Sequence, residues 1–463
     1  MKTILFIIFF SPVLVLGQAA AQQVFSVDDF IQQVKAYHPV AKQANLQTEK
    51  AKAALLSAQG SFDPTLNFSS QQKTFNGTNY YYYNNPELKI PTQLPITVKA
   101  GMEDNGGRYL TSEVTPGQSS YVGVEVALGK GLLTDKRRTM LKQAKLFQGQ
   151  TEQDRLKMIN DLMFDAYVAY WQWAGAFQQR KINKQFAKTA AERARLIAIA
   201  YTNGDKALTD TVEAYVQLQN YEIQIADAQI KLNNAALELS NYLWLEDNNP
   251  YQLSDKLIPD TMALQSGMKT LVLEELVQQA LSSNPALQSY NYKLDVLEAE
   301  KKLKFQSLLP SINLKANLLN RGYYSFGGMD AAYFQNNYKY GIDFKMPLFF
   351  REGRGEYKKA KLKIQETSLE FEAKKWQVEN KVRSYYSEMI LLEDQLRIAK
   401  NNMKNYEMLL RNELLKYENG ESSLFMINSR ETKLLEAQQK LIDLKVKYMK
   451  AGYAAAWSAG LLL

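Results

Sequence analysis

Between Glu356 and Asn419 the chain contains neither glycine nor proline, and this stretch limits what the rest of the protein can be. It is dense in Lys, Glu, Gln and Leu. Its apolar residues recur at alternating spacings of three and four: Val382, Tyr385, Met389, Leu392, Leu396, Ala399, Met403, Tyr406 and Leu410. One line of that pattern reaches back through Val378, Phe371 and Ile364. With nothing to break a helix, a rise of about 1.5 Å per residue makes a rod of roughly 95 Å, several times the usual globular helix. A period of seven stays on one seam only if the helix supercoils left-handedly against neighbours. The simplest structure that meets this condition is a coiled-coil dimer.

The chain has 463 residues, enough for several domains or one elongated subunit. Met1, Lys2, the apolar run from Ile4 to Leu16 and the small residues Gly17, Ala19, Ala20 and Ala21 have the pattern of a secretory signal peptide over residues 1–21. Cleavage is expected before Gln22, with Gly17 as the other possible site. There is no cysteine, which removes a lipoprotein anchor, disulfides and thiolate metal sites, so stability must come from packing or oligomerisation. After the signal, the nearest approach to a spanning helix is the short end Ala454 to Leu463, and a membrane crossing would have to be a barrel. The net charge of +8 is spread along amphipathic helices and fits solvated helix faces better than nucleic-acid binding.

The sequence repeats itself. The segment from Phe30 to Phe68 recurs from Leu276 to Leu314, with His38-Pro39 on Asn284-Pro285 and Asp63-Pro64 on Leu309-Pro310. Farther on, YTNGDKAL from Tyr201 recurs as YENGESSL from Tyr417. Each half therefore reads alike: a short helix, an X-Pro turn, a longer helix stopped by proline, two strand-like segments around a loop, a long helix, a Gly turn and a return helix. The first repeat is expected over residues 22–245, with strands at about 65–75 and 118–128, a long helix over 135–202 and a return helix over 205–244. A linker follows over 246–270. The second repeat, 271–463, has strands at about 311–319 and 338–348, a long helix over 355–419, a return helix over 421–450 and a tail. Two shorter helices end to end match one long one, giving four helical columns.

The strand candidates alternate apolar and polar residues, as in Tyr340, Ile342, Phe344 and Met346 against Gly341, Asp343 and Lys345. Val122, Val124 and Val126 alternate with Gly123 and Glu125, and Ile312, Leu314 and Ala316 with Asn313 and Lys315. Segments of nine to eleven residues, apolar outward and polar inward, are what an outer-membrane barrel needs. Glu125, Lys315, Asp343 and Lys345 are then candidates for its lumen. A soluble sheet with one wet face gives the same alternation. Four strands cannot close around a pore, so the barrel requires oligomerisation, and three copies would supply twelve strands. The Tyr-rich stretch 76–117 is expected to be a long loop outside the cell.

Signal peptide, duplicated halves with two strands each, very long helices and paired Tyr-x-x-Gly turns together resemble the TolC-like outer-membrane efflux protein family, the outer membrane factors, over about Phe25 to Lys450. The resemblance implies a mostly α homotrimer: a 12-stranded outer-membrane β-barrel continued by an α-helical coiled-coil barrel in the periplasm of a Gram-negative cell. The linker and the C-terminal tail would form an equatorial belt. The turns carrying Tyr201, Gly204, Tyr417 and Gly420 would form the periplasmic tip, meeting an adaptor (membrane fusion) protein coupled to an inner-membrane pump of RND or ABC type. Matched to the family's closed gate, Thr209, Asp210 and Tyr417 are kept, while the usual Arg partner is Ser422. Two carboxylates that ring the pore in well-known members fall on Met426 and Ser429, so no acidic constriction is expected there.

Chemistry is sparse. The lone His38 precedes a proline at a turn and cannot by itself anchor a transition metal or complete a triad. Trp171, Trp173 and Trp376 fall on the long helices and suit packing in a wall. No catalytic, cofactor or metal residue is expected. The reading is a passive channel that exports small molecules, with a type I protein-secretion duct or a secreted periplasmic coiled-coil scaffold as alternatives.

Overall fold

A computed structural model describes residues 23–254, 256–262, 264, 272–323 and 336–463. The expected signal peptide and part of the expected linker lie outside these residues. A short strand β1 (Gln23–Phe25) leads into α1 (Val27–Tyr37) and α2 (Pro39–Gln59). Four strands follow: β2 (Thr65–Phe75), β3 (Thr78–Pro91), β4 (Ile96–Gly106) and β5 (Gly117–Ala127). The first repeat ends with α3 (Lys136–Thr202) and α4 (Leu208–Ser240), and β6 (Leu257–Pro259) lies between the repeats. The second repeat comprises α5 (Leu273–Ser283), α6 (Pro285–Gln306), β7 (Ser311–Arg321), β8 (Tyr338–Lys345), α7 (Arg351–Glu418) and α8 (Leu424–Ala459).

The expectation of four strands per chain is corrected. Among the described residues the sheet has six, in the order β2-β3-β4-β5-β7-β8, every neighbouring pair antiparallel. The stretch 76–117 is therefore not one long loop. Asn76 and Gly77, both at positive φ, make a two-residue turn that sends β3 back along β2. Residues 92–95 then turn the chain again into β4.

The 67 residues of α3 and the 68 of α7 are the two long staves. Proline at the first turn and an acceptor just before it set the start of α2 and α6: His38 Nδ1 accepts the Val40 N–H at 3.2 Å, and Asn284 Oδ1 the Ala286 N–H at 2.9 Å. Near the sheet α2 and α6 pack on α3, and toward the other end α4 and α8 do. The α7 seam packs on α6 above and α8 below, with Met389 and Leu392 against Leu444 and Ala451. Across the body this gives α2, α3, α6, α7 in the upper half and α4, α3, α8, α7 in the lower.

The densest core surrounds the middle of α3, where Phe30, Tyr170, Trp171 and Trp173 are buried together. Tyr170 donates its hydroxyl hydrogen to the Phe25 carbonyl at 2.7 Å and accepts the Asp260 N–H at 3.1 Å, tying β1 and the linker to the helices. The chain end joins the same region: Leu462 N–H donates to Asn160 Oδ1 and the Trp457 indole to Asp161. Among the described residues no helix is long and apolar enough to cross a membrane.

Candidate functional site

Two regions carry polar groups in a pattern that packing alone does not require. The first is the sheet. Successive residues of a strand face opposite ways, so the register fixes which side chains share a face. One row runs Leu66, Leu88, Ala100, Val122, Leu318, Tyr338 across all six strands. The next row on that face includes Ile90, Val98, Val124, Ala316 and Tyr340. The opposite face carries the row Thr65, Lys89, Lys99, Gly123, Asn317, Lys339. Toward the helices one side is apolar across the sheet and the other polar; farther out the first side also turns polar, through Ser70, Asn84, Asp104 and Gln118.

All four lumen candidates, Glu125, Lys315, Asp343 and Lys345, fall on the polar face, and the first three are brought together. Glu125 is opposite Lys315, and Lys315 Nζ lies 2.5 Å from Asp343 Oδ2. Residues that sequence reasoning missed complete the arrangement. Lys99 on β4 pairs with Glu125 on β5. Tyr121 on β5 reaches across β4 and donates to Glu87 Oε2 on β3 at 2.7 Å. It can do so because it crosses Gly101, where an added Cβ would lie 2.5 Å from the Tyr121 ring. The overlooked signal was Asn76-Gly77, the dipeptide most diagnostic of a tight hairpin.

The second region is the far end of the helices. Gly204 and Gly420 both adopt positive φ after long helices, at 83° and 79°. The turns close alike: Gly204 N–H donates to Tyr201 and Asp205 N–H to Ala200, while Gly420 N–H donates to Tyr417 and Glu421 N–H to Lys416. This is the double closure of a helix by a left-handed glycine. Thr209 is exposed and Asp210 partly exposed on the first turn of α4. Tyr417 does reach the first turn, but its ring sits under the Lys206 ammonium, 4.7 Å from the centroid. Among the described residues no hydrogen bond joins it to Asp210. The Ser422 hydroxyl donates to Glu413 at 2.6 Å, which holds that carboxyl below its ordinary range. Met426 is partly buried and Ser429 exposed.

Deeper in the tip lies an ion pair that was not foreseen. Arg193 of α3 donates to Glu431 of α8 through both terminal nitrogens, one at 2.8 Å, and Glu431 is 3% exposed. Burial alone would lower the arginine pKa, but the bonds and charge of Glu431 outweigh it and hold the guanidinium above its usual value. Asn428 accepts from Arg193 and donates to Glu213 of α4, so three helices share the network. The sequence did contain a sign: Arg193 and Glu431 interrupt apolar lines through Ala190, Ala194 and Ile197 and through Ile427, Leu434 and Leu435.

A sheet with one apolar and one polar face, continued by antiparallel helices of this length, is the fold of TolC-like outer-membrane channels. Residues 276–453 match the model of the family described as outer membrane efflux protein. The second repeat thus matches that family over most of its length. The open-state MtrE outer-membrane channel of Neisseria gonorrhoeae is similar at a TM-score of 0.68 and 15% identity, over 94% of this chain and 89% of that one. The Campylobacter jejuni CmeC outer-membrane channel gives 0.64 and 15%, covering 94% and 85%. The Vibrio cholerae outer-membrane protein VceC gives 0.64 and 13%, covering 94% and 96%. No curated protein sequence matches the chain.

Proposed function

We propose that this protein is one of three identical subunits of a passive exit duct, exporting small molecules across the outer membrane when a periplasmic adaptor and an inner-membrane pump engage it. No bond is made or broken, and selectivity comes from the polar face and the tip. The observation that carries this reading is that the interface between the two repeats has an unsatisfied copy at the edges of the chain. Inside the chain, β5 of the first repeat pairs with β7 of the second, and α3 packs on α6 and α8. By the repeat, β8 should pair with β2 of another copy, and α7 should pack on that copy's α2 and α4.

Those surfaces are apolar and open. Aligning Tyr201 with Tyr417 places Gly175 on Leu391 and Val446 on Ile230. Gly175 of α3 abuts Val446 of α8, where an added Cβ would meet Val446 Cγ2 at 2.5 Å. Leu391 and Ile230 are 60% and 59% exposed in the single chain. In the same alignment the buried Arg193–Glu431 pair falls on Leu409 and Tyr215, which are also exposed. A head-to-tail interface of this kind closes into a ring when its rotation divides a full turn.

At the tip, Thr209, Asp210, Tyr417 and Ser422 are read as the gate, assisted by Lys206. Reconstituted trimers carrying Asp210→Ala or Tyr417→Leu are expected to show raised single-channel conductance: the first deletes the gate carboxylate and the second the ring under Lys206, a contact of about 0.5–1 kcal/mol whose loss favours opening. Unchanged conductance in both variants would remove these residues from the gate. The duct itself is tested by purification from outer membranes, where a heat-modifiable trimer is expected. A soluble periplasmic monomer would rule it out.

A further inference from the structure

We infer that the β3–β4 hairpin is built into the membrane wall, so that each chain contributes six strands and the closed trimer has eighteen. The count rests on the trimeric reading above. The placement of the hairpin rests on four features of the sheet.

The first is topology. An external loop would leave β2 and return to β5 at the outer end, with β2 and β5 paired to each other. Here β3 and β4 separate them completely. The second is depth. The ends of the sheet next to the helices are marked by Thr65, Ala127, Ser311 and Lys345, and the hairpin turns at residues 92–95 at that same level. The Ala127 N–H, just before the chain enters α3, donates to the Pro95 carbonyl at 3.0 Å. At 14 and 11 residues, β3 and β4 match the length that a tilted membrane strand needs.

The third is facing. Leu88, Ile90, Val98 and Ala100 continue the apolar rows of β5 and β7 without a break, and Lys89 and Lys99 continue the polar face. A loop resting on the rim has no reason to keep that phase. The fourth is the joinery on the polar side: Lys99 pairs with Glu125, and Tyr121 passes over Gly101 to Glu87.

The consequence is a wider pore. With strands about 4.8 Å apart and tilted about 40°, a twelve-stranded wall has a backbone radius of roughly 12 Å and an eighteen-stranded one roughly 18 Å. Six strands span roughly 38 Å of circumference, as do four helices packed about 9.5 Å apart, so sheet and helical wall meet with little taper.

The native absence of cysteine makes single-cysteine variants clean reporters. Thr97→Cys, Val98→Cys, Lys99→Cys and Ala100→Cys on β4 would be compared with Val122→Cys, Val124→Cys, Glu125→Cys and Ala127→Cys on β5. Each trimer, reconstituted in phosphatidylcholine vesicles, is treated with a charged, water-soluble maleimide. The expected result is labelling at positions 97 and 99 and its loss at 98 and 100, in phase with β5, which labels at 125 and 127 only. Uniform labelling along β4 with alternation retained on β5 overturns the built-in hairpin and leaves the barrel standing. Uniform labelling on both strands overturns the membrane barrel itself. Strand counting by electron cryomicroscopy of the unmodified trimer gives an independent decision: eighteen supports the inference and twelve refutes it.

Discussion

His38 shows how the two repeats solve one local problem with different chemistry. Its imidazole caps α2 and stacks on Tyr242 at 5.9 Å, and burial lowers its pKa below the ordinary value. The cap uses the neutral ring, because Nδ1 accepts. Since the unfolded chain binds a proton more readily than the folded one, the contribution is complete above about pH 6.5 and is lost as pH falls through the lowered folded value. His38→Asn, which copies Asn284 of the other repeat, should keep the cap and flatten the pH dependence of thermal unfolding between about pH 7.5 and 5. His38→Ala should cost about 1 kcal/mol at neutral pH. Gly101 presents a different case. Gly101→Val puts a side chain where the Tyr121 ring lies, and the overpacking should cost about 1–3 kcal/mol, seen as a lower temperature for trimer dissociation on gels.

Among the elements, α3 packs on α2, α4, α6 and α8, and the Arg193–Glu431 pair is its only ion pair with α8 among the described residues. Removing one partner leaves a buried charge unpaired. Glu431→Leu or Arg193→Met should therefore destabilise the tip by about 3 kcal/mol, whereas the two combined should recover most of it. Urea unfolding of the wild type and these three variants in a double-mutant cycle measures this. The open edges predict an interface between copies: a chain carrying Leu391→Cys and Ile230→Cys should oxidise to a three-chain species on non-reducing gels, and each single variant should not. A series continuing past three would contradict ring closure. The long helices were legible because an uninterrupted apolar period over so many residues has few other structural solutions. The repeat was legible because prolines and glycines mark its joints. The β3–β4 hairpin was not, since four adjacent tyrosines and scattered Asn, Pro and Gly mask the period-two pattern that only the pairing register reveals. The site was half legible. Charges on alternating strands announce a polar face, but Lys206 over Tyr417, or Tyr121 over Gly101, depends on how distant segments meet.

At the scale of the whole molecule, the chain buries its length unevenly. Its aromatic core lies at mid-height, where β1, the linker and the chain end converge on α3. Farther from it the staves rely increasingly on neighbours, and α4 and α7 leave many large apolar side chains exposed. The sheet has the same dependence in a stricter form. Its outer strands, β2 and β8, each have one side without a strand partner among the described residues of the single chain. In water those amide and carbonyl groups are solvated, but in hydrocarbon each costs several kcal/mol. A lone subunit therefore cannot enter the bilayer and wait for companions. Association must precede or accompany insertion, and the rate at which vesicles acquire pores should rise far more steeply than linearly with subunit concentration.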